Sequence, residues 1–305
     1  MSTADATQPR ALIVTVYGLY ARDGTAPDTL AGGTNAAPNS AAADGVGWLP
    51  VGLLVRLLAE LAVDEPAVRS AISRLKRRGL LVAERRDGVA GYGLSESGYA
   101  ILAEGDARIF APTEPRLDDG WVLAVFSVPE SERAKRHTLR TQLDALGFGA
   151  CAPGVWIAPA DRYELTSASL RRHGLAPYVD LFRGEYLAFG DINAHAREWW
   201  DLADVESAYR EFIADHRALL PDSAESVDGA HAFAVWVRAL TAWRRLPYLD
   251  PGLPVELLPA EWPAPGARAL LAALREALAE PAHSFVMATA GCHRSADRSE
   301  RGRLD

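Results

Sequence analysis

The sequence predicts an α+β chain of several domains, and three observations carry that expectation. At 305 residues the chain exceeds the usual span of one hydrophobic core. Its apolar periodicity changes character along its length, from helices with a short hairpin, to alternating strands and helices, to helices alone. Breaks at Pro112 and Pro115, and again in the proline-rich stretch 247–265, punctuate these regions. An apolar fraction of 49% with 24% charged residues excludes a fibre or a wholly disordered chain.

The N-terminal region, 10–112, is built from short elements. Leu12, Ile13, Val16, Tyr17 and Tyr20 recur at helical spacing and predict a first helix over 10–20. Residues 24–47 are dominated by Ala, Gly, Pro, Asn, Asp and Ser without periodicity, which reads as a flexible insertion. Leu53, Leu54, Leu57, Leu58 and Leu61 predict a second helix over 48–61, with Pro50 in its first turn. Asp64 is a good N-cap and Gly79 a good stop, so a third helix is expected over 65–78. An apolar strand over 80–85, the turn pair Asp87-Gly88 and a return through Tyr92-Gly93-Leu94 make a hairpin. Ser95 then caps a fourth helix. Helix, short turn, helix and hairpin in this order form a winged helix-turn-helix.

The central region, 118–190, reads as β-α-β-β-α-β. Its strands are expected at 121–128, 148–152, 155–158 and 178–189, and its helices at 131–147 and 162–173. That order is ferredoxin-like. The C-terminal region, 191–281, is helical. Val205, Tyr209, Phe212 and His216 form one stripe, Phe233, Val237 and Leu240 a second, and Leu270, Leu271, Leu274 and Leu278 a third. Residues 282–305 read as a disordered polar tail.

Net charge is −8, which alone argues against a polyanionic partner. Between residues 66 and 86, however, seven basic side chains face one acid. On a helical wheel, Val68, Ala71, Ile72 and Leu75 share one face of the third helix, while Ser70, Ser73, Arg74 and Arg77 lie opposite and Arg69 at the border. Arginine can bond guanine O6 and N7 in a bidentate fashion, and serine can donate to phosphate or base edges, so Arg69, Ser70, Ser73, Arg74 and Arg77 are candidate DNA-reading residues. Arg85 and Arg86 in the hairpin are candidate phosphate contacts. The competing reading is a solvated charged surface; the co-occurrence of turn, helix and wing favours DNA.

A second basic stripe, Arg133, Arg136, His137 and Arg140, is a candidate seat for an anionic effector, although Glu130, Glu132 and Asp144 balance it as an ordinary helix flank. Trp199, Trp200, Trp236 and Trp243 could line an aryl pocket, but tryptophan at helical spacing is more often core. Cys151, Cys292 and the seven histidines show no metal-ligand spacing. No Gly-rich phosphate loop or Gly-x-Ser-x-Gly elbow is present, so neither a catalytic residue nor a cofactor is expected. The polar start and the lack of an apolar run of about 18 residues predict a cytoplasmic protein without a membrane span.

These residues carry a resemblance. Ala11-Leu12-Ile13-Val14-Thr15-Val16-Tyr17-Gly18, Trp48-Leu49-Pro50, Val68-Arg69-Ser70-Ala71-Ile72-Ser73-Arg74-Leu75 and Arg78-Gly79-Leu80-Leu81 resemble the PaaX family of phenylacetate-degradation repressors. The likeness continues through Phe126-Ser127-Val128-Pro129-Glu130, Gly147-Phe148-Gly149, Gly154-Val155-Trp156-Ile157, Leu249-Asp250-Pro251-Gly252-Leu253-Pro254, Leu257-Leu258-Pro259 and Trp262-Pro263. The resemblance implies a homodimeric repressor of an aromatic-acid catabolic operon that binds double-stranded operator DNA. It also implies release by an aryl-coenzyme A thioester, an acyl-CoA effector. The insertion at 24–47 and the tail at 282–305 depart from the family pattern.

Two alternatives stay open. The central region also resembles small ferredoxin-like CRISPR-associated nucleases, whose metal chemistry needs an aspartate near the end of the first strand; here that strand ends Phe126-Ser127-Val128. Alternatively, the central and C-terminal regions serve dimerisation alone.

Overall fold

The computed structural model describes residues 8–22, 47–110, 114–187, 189–221 and 227–301. Nearly all of the expected insertion, and the last four residues of the chain, lie outside these. The elements are α1 (Pro9–Tyr20), β1 (Trp48–Pro50), α2 (Val51–Ala59), α3 (Glu65–Arg77), β2 (Leu81–Arg86), β3 (Val89–Leu94) and α4 (Glu96–Phe110). They continue with β4 (Trp121–Phe126), α5 (Arg133–Ala145), β5 (Gly149–Ala152), β6 (Val155–Pro159), α6 (Tyr163–Arg172) and β7 (Val179–Gly184). Helices α7 (Ile192–Trp199), α8 (Leu202–Arg217), α9 (Gly229–Trp243), α10 (Leu246–Leu249) and α11 (Ala264–Arg301) complete the chain. The result is the expected α+β class, with many helices and two small antiparallel sheets.

Two compact units form. One comprises Met1–Ala111, Phe212–Trp243 and Arg268–Asp305; the other comprises Pro112–Glu211 and Arg244–Ala267. The C-terminal third therefore divides between units, which a linear reading of the chain does not reveal.

In the first unit, the apolar stripe of α1 buries Leu12, Ile13, Val16 and Tyr17 against α3 and α9. Thr241 of α9 donates its hydroxyl to Thr15 at 2.8 Å, which satisfies a polar pair inside this packing. Tyr17 donates to the Tyr92 carbonyl at 2.8 Å, and burial raises the phenol's pKa so that it stays a donor. The expected second helix starts later than its periodicity suggests. Trp48–Pro50 is a strand at the edge of a sheet ordered β1-β3-β2, where a proline without an N–H is tolerated.

Between α2 and α3 the chain turns through Ala62 at φ 57°, with Val63 donating to Leu58 and Ala62 to Ala59. That Schellman-type closure puts an alanine where glycine is usual, at a cost of about 1 kcal/mol. The hairpin turn carries positive φ at both Asp87 and Gly88, as a two-residue type I′ connection requires.

The expected disordered tail is corrected by α11, which runs to Arg301 with Pro281 inside it. Ala267, Leu271, Leu274, Leu278, Ala282 and Val286 are all buried and keep one helical stripe going past the proline. Packing of that stripe outweighs the single hydrogen bond that Pro281 forfeits.

In the second unit, four antiparallel strands are ordered β5-β6-β4-β7. Val122, Ala124, Trp156 and Ala158 face Leu139, Leu143 and Leu146 of the α5 segment and Leu170 of α6. On the other face, Trp121 and Ile157 join Ala196, Trp200, Leu253 and Leu257. Gly149 is obligatory here, because a Cβ would lie 2.7 Å from the Trp200 ring and 2.8 Å from the Trp199 carbonyl oxygen. The Trp200 indole donates to the Gly147 carbonyl at 3.0 Å. Trp200, Trp236 and Trp243 are buried and pack as core, each within its own unit. Cys151 is half-buried, and desolvation pushes its thiol up to about 11.

Candidate nucleic-acid interface

The helix that carries the basic surplus is fixed by its inward face. Val68, Ala71, Ile72 and Leu75 of α3 are buried, each larger side chain contributing about 1.5–3 kcal/mol to holding the helix in one rotation. Asp64 accepts from the Ala67 N–H at 2.7 Å, which starts the helix where the sequence places its cap. At the other end Gly79, at φ 73°, lets Leu80 donate back to Leu75. With both ends and one face set, the opposite face is determined.

That opposite face is exposed and contains Arg69, Ser70, Ser73, Arg74 and Arg77. Arg74 and Arg77 have no ion pair among the described residues. Lys76 and Arg78, which helical-wheel reasoning did not single out, are exposed as well and extend the positive charge toward the helix C-terminus. Arg69 is different. Its Nε donates to Glu65 Oε1 at 2.7 Å and its Nη2 lies 2.5 Å from the same oxygen, so it is held by an exposed i,i+4 pair worth about 0.3–0.5 kcal/mol.

The two hairpin arginines part company. Arg85 is exposed and donates to the Gly88 carbonyl at 3.0 Å, which braces the turn. Arg86 bonds both carboxylate oxygens of Glu84, at 2.9 and 3.3 Å, and its guanidinium lies 5.4 Å from the centroid of the Trp48 ring. Trp48 in turn covers Gly91, where any Cβ would collide with the indole. Arg86 is thereby a strut of the hairpin, whereas Arg85 points its charge outward. The strand pairing that creates this contact is not visible in the sequence, although an aromatic next to a Gly-x-Gly strand was a usable hint.

The second basic stripe is likewise split. Arg133, His137 and Arg140 are exposed along one flank of α5. Arg136 is committed elsewhere, donating to the Val128 carbonyl at 2.7 Å and to Glu130 at 3.1 Å. Lys135, which the charge pattern alone does not mark, pairs with Glu132 and with the Tyr178 hydroxyl. Among the described residues, no group of three His, Cys, Asp or Glu side chains is placed to hold a metal ion, and no helix is long and apolar enough to cross a membrane.

Three family models match consecutive parts of the chain: a PaaX-like protein model over residues 41–98, the PaaX protein central Cas2-like domain over 114–196, and the PaaX-like protein C-terminal domain over 200–288. The transcriptional repressor PaaX of Escherichia coli (strain K12) is 31% identical over 248 residues, covering 78% of this chain and 76% of that relative. Among solved structures, an uncharacterized protein of Mycobacterium tuberculosis superposes with a TM-score of 0.53 at 26% identity, covering 79% of this chain and 92% of that one.

Proposed function

This chain belongs to the PaaX family of transcriptional regulators, and from that premise we propose that it is a homodimeric repressor whose α3 enters the major groove of an operator. The observation that carries the proposal is the exposed face of α3, where Arg69, Ser70, Ser73, Arg74 and Arg77 oppose a fully buried apolar stripe. In this reading α2, α3 and the β2–β3 hairpin form a winged helix-turn-helix, with Arg85 set to touch phosphate and Arg86 holding the wing in shape. The strand order β5-β6-β4-β7, all antiparallel, supports a ferredoxin-like central domain. The domain division 10–112, 118–190 and 191–281 belongs to the same proposal.

The regulated operon is an aromatic-acid, phenylacetate-like catabolic operon, and the effector is an aryl-coenzyme A thioester. Arg133 and Arg140 supply exposed positive charge for its phosphates, with His137 exposed between them as a further polar contact and Arg136 bracing their helix. The nuclease alternative gains no supporting residue, since β4 carries no carboxylate.

A gel-shift titration tests the reading. The protein is expected to retard DNA from upstream of its own gene in preference to random duplex, and an aryl-coenzyme A thioester is expected to release it. Equal affinity for both duplexes would refute operator recognition. Retained binding at saturating thioester would refute effector control and leave the C-terminal regions as dimerisation elements.

A further inference from the structure

We propose that Glu65 and Arg69 act together as one reading head for a G·C pair, with Glu65 accepting from the cytosine amino group. The inference rests on the reading of α3 as the DNA-entering helix and names what its N-terminal end recognises. Recognition helices contact base edges chiefly through their N-terminal residues, which places position 65 at the DNA. A carboxylate there is a liability unless it is paired, because phosphates repel it.

The geometry supplies the pairing. Arg69 uses the Nε/Nη2 edge of its guanidinium on Glu65 Oε1. The second edge of the fork, Nη1 with the remaining Nη2 proton, is the one that fits guanine O6 and N7 in a bidentate fashion. Both contacts to Glu65 fall on the same carboxylate oxygen, and Oε2 takes part in neither. The pair thus presents two donors beside one acceptor. A G·C pair presents two acceptors, O6 and N7, beside one donor, the cytosine N4 amino group. An A·T pair instead places its donor, adenine N6, between two acceptors, so the order does not match.

Nor is Glu65 needed to cap the helix, since Asp64 already accepts from the Ala67 N–H. Its side chain is about half exposed, at 51%, which leaves it accessible to an external partner. The bond to Arg69 also restricts the guanidinium before DNA arrives, which lowers the ordering cost of the contact.

Selection from a randomised duplex library decides the matter. The full-length wild type is expected to enrich a half-site with one invariant G·C pair, and changing that pair to A·T is expected to weaken binding about tenfold or more. Glu65→Ala is expected to bind the same half-site with that preference reduced severalfold and all others intact. Glu65→Gln is expected to admit A·T there, since an amide pairs with adenine N6 and N7. A merely structural Glu65 would lower affinity for every sequence alike. Identical base preferences for wild type and Glu65→Ala would overturn the reading head while leaving operator binding standing. No enrichment by the wild type would overturn both.

Discussion

Replacing Arg69 and Arg74 together with alanine removes about 2–6 kcal/mol of specific DNA-binding free energy, roughly 1–3 kcal/mol for each bidentate arginine–guanine pair. The two side chains border the exposed face of α3 from opposite sides, so the double substitution strips both margins of the reading surface. Folding is spared. Arg74 has no ion pair among the described residues, and the Arg69–Glu65 pair is exposed, so unfolding free energy is expected to change by less than about 0.5 kcal/mol. Affinity for the operator, measured by fluorescence anisotropy at fixed salt, should fall by about thirtyfold or more. Unchanged affinity in a folded double variant would remove α3 from the interface.

The second large effect lies far from this helix in sequence. Asp250 is 8% exposed and accepts from the Tyr209 hydroxyl and the Gly252 N–H, each at 2.8 Å. Asp250→Ala removes the acceptor from both of these bonds in the second unit, and the expected loss of stability is about 1–3 kcal/mol. Asp250→Asn keeps one acceptor oxygen and should cost about half as much. Denaturant unfolding followed by tryptophan fluorescence reads both variants, and a loss below about 0.5 kcal/mol for the alanine variant would show that the network contributes little. The loop around this carboxylate is tightly specified. Gly252 sits at φ 66° beneath the Arg162 guanidinium, which donates to the Pro251 carbonyl at 3.2 Å. Asp-Pro-Gly is therefore a packing motif here, with each residue placed by a different contact.

Much of the first unit was legible because its signals are local. Asp64, Gly79 and the Asp87-Gly88 pair act within a few residues of themselves, and each does what its chemistry predicts. The apolar stripe of α3 was likewise readable from spacing alone, and with it the exposed face. What escaped were long-range and competing interactions. Trp48 reads as a helix start until it pairs with Gly93 across a sheet, and the residues after Pro281 read as a polar tail until the stripe through Ala282 and Val286 is seen to be buried. The same limit applies to the arginines. Charge type and spacing marked Arg86 and Arg136, but only side-chain geometry shows that Glu84 and the Val128 carbonyl hold them. Arginines that share a sequence pattern thus divide into those available to a partner and those committed to the fold.

Dimethyl sulfate methylation interference on the operator tests most directly whether α3 reads the major groove. Methylation at guanine N7, which lies in that groove, is expected to block binding at two clusters whose centres are about one helical turn apart, one for each α3 of the proposed dimer. Interference confined to adenine N3 in the minor groove, or a bound complex indifferent to N7 methylation, would contradict the assignment of Arg69, Arg74 and Arg77 to base readout.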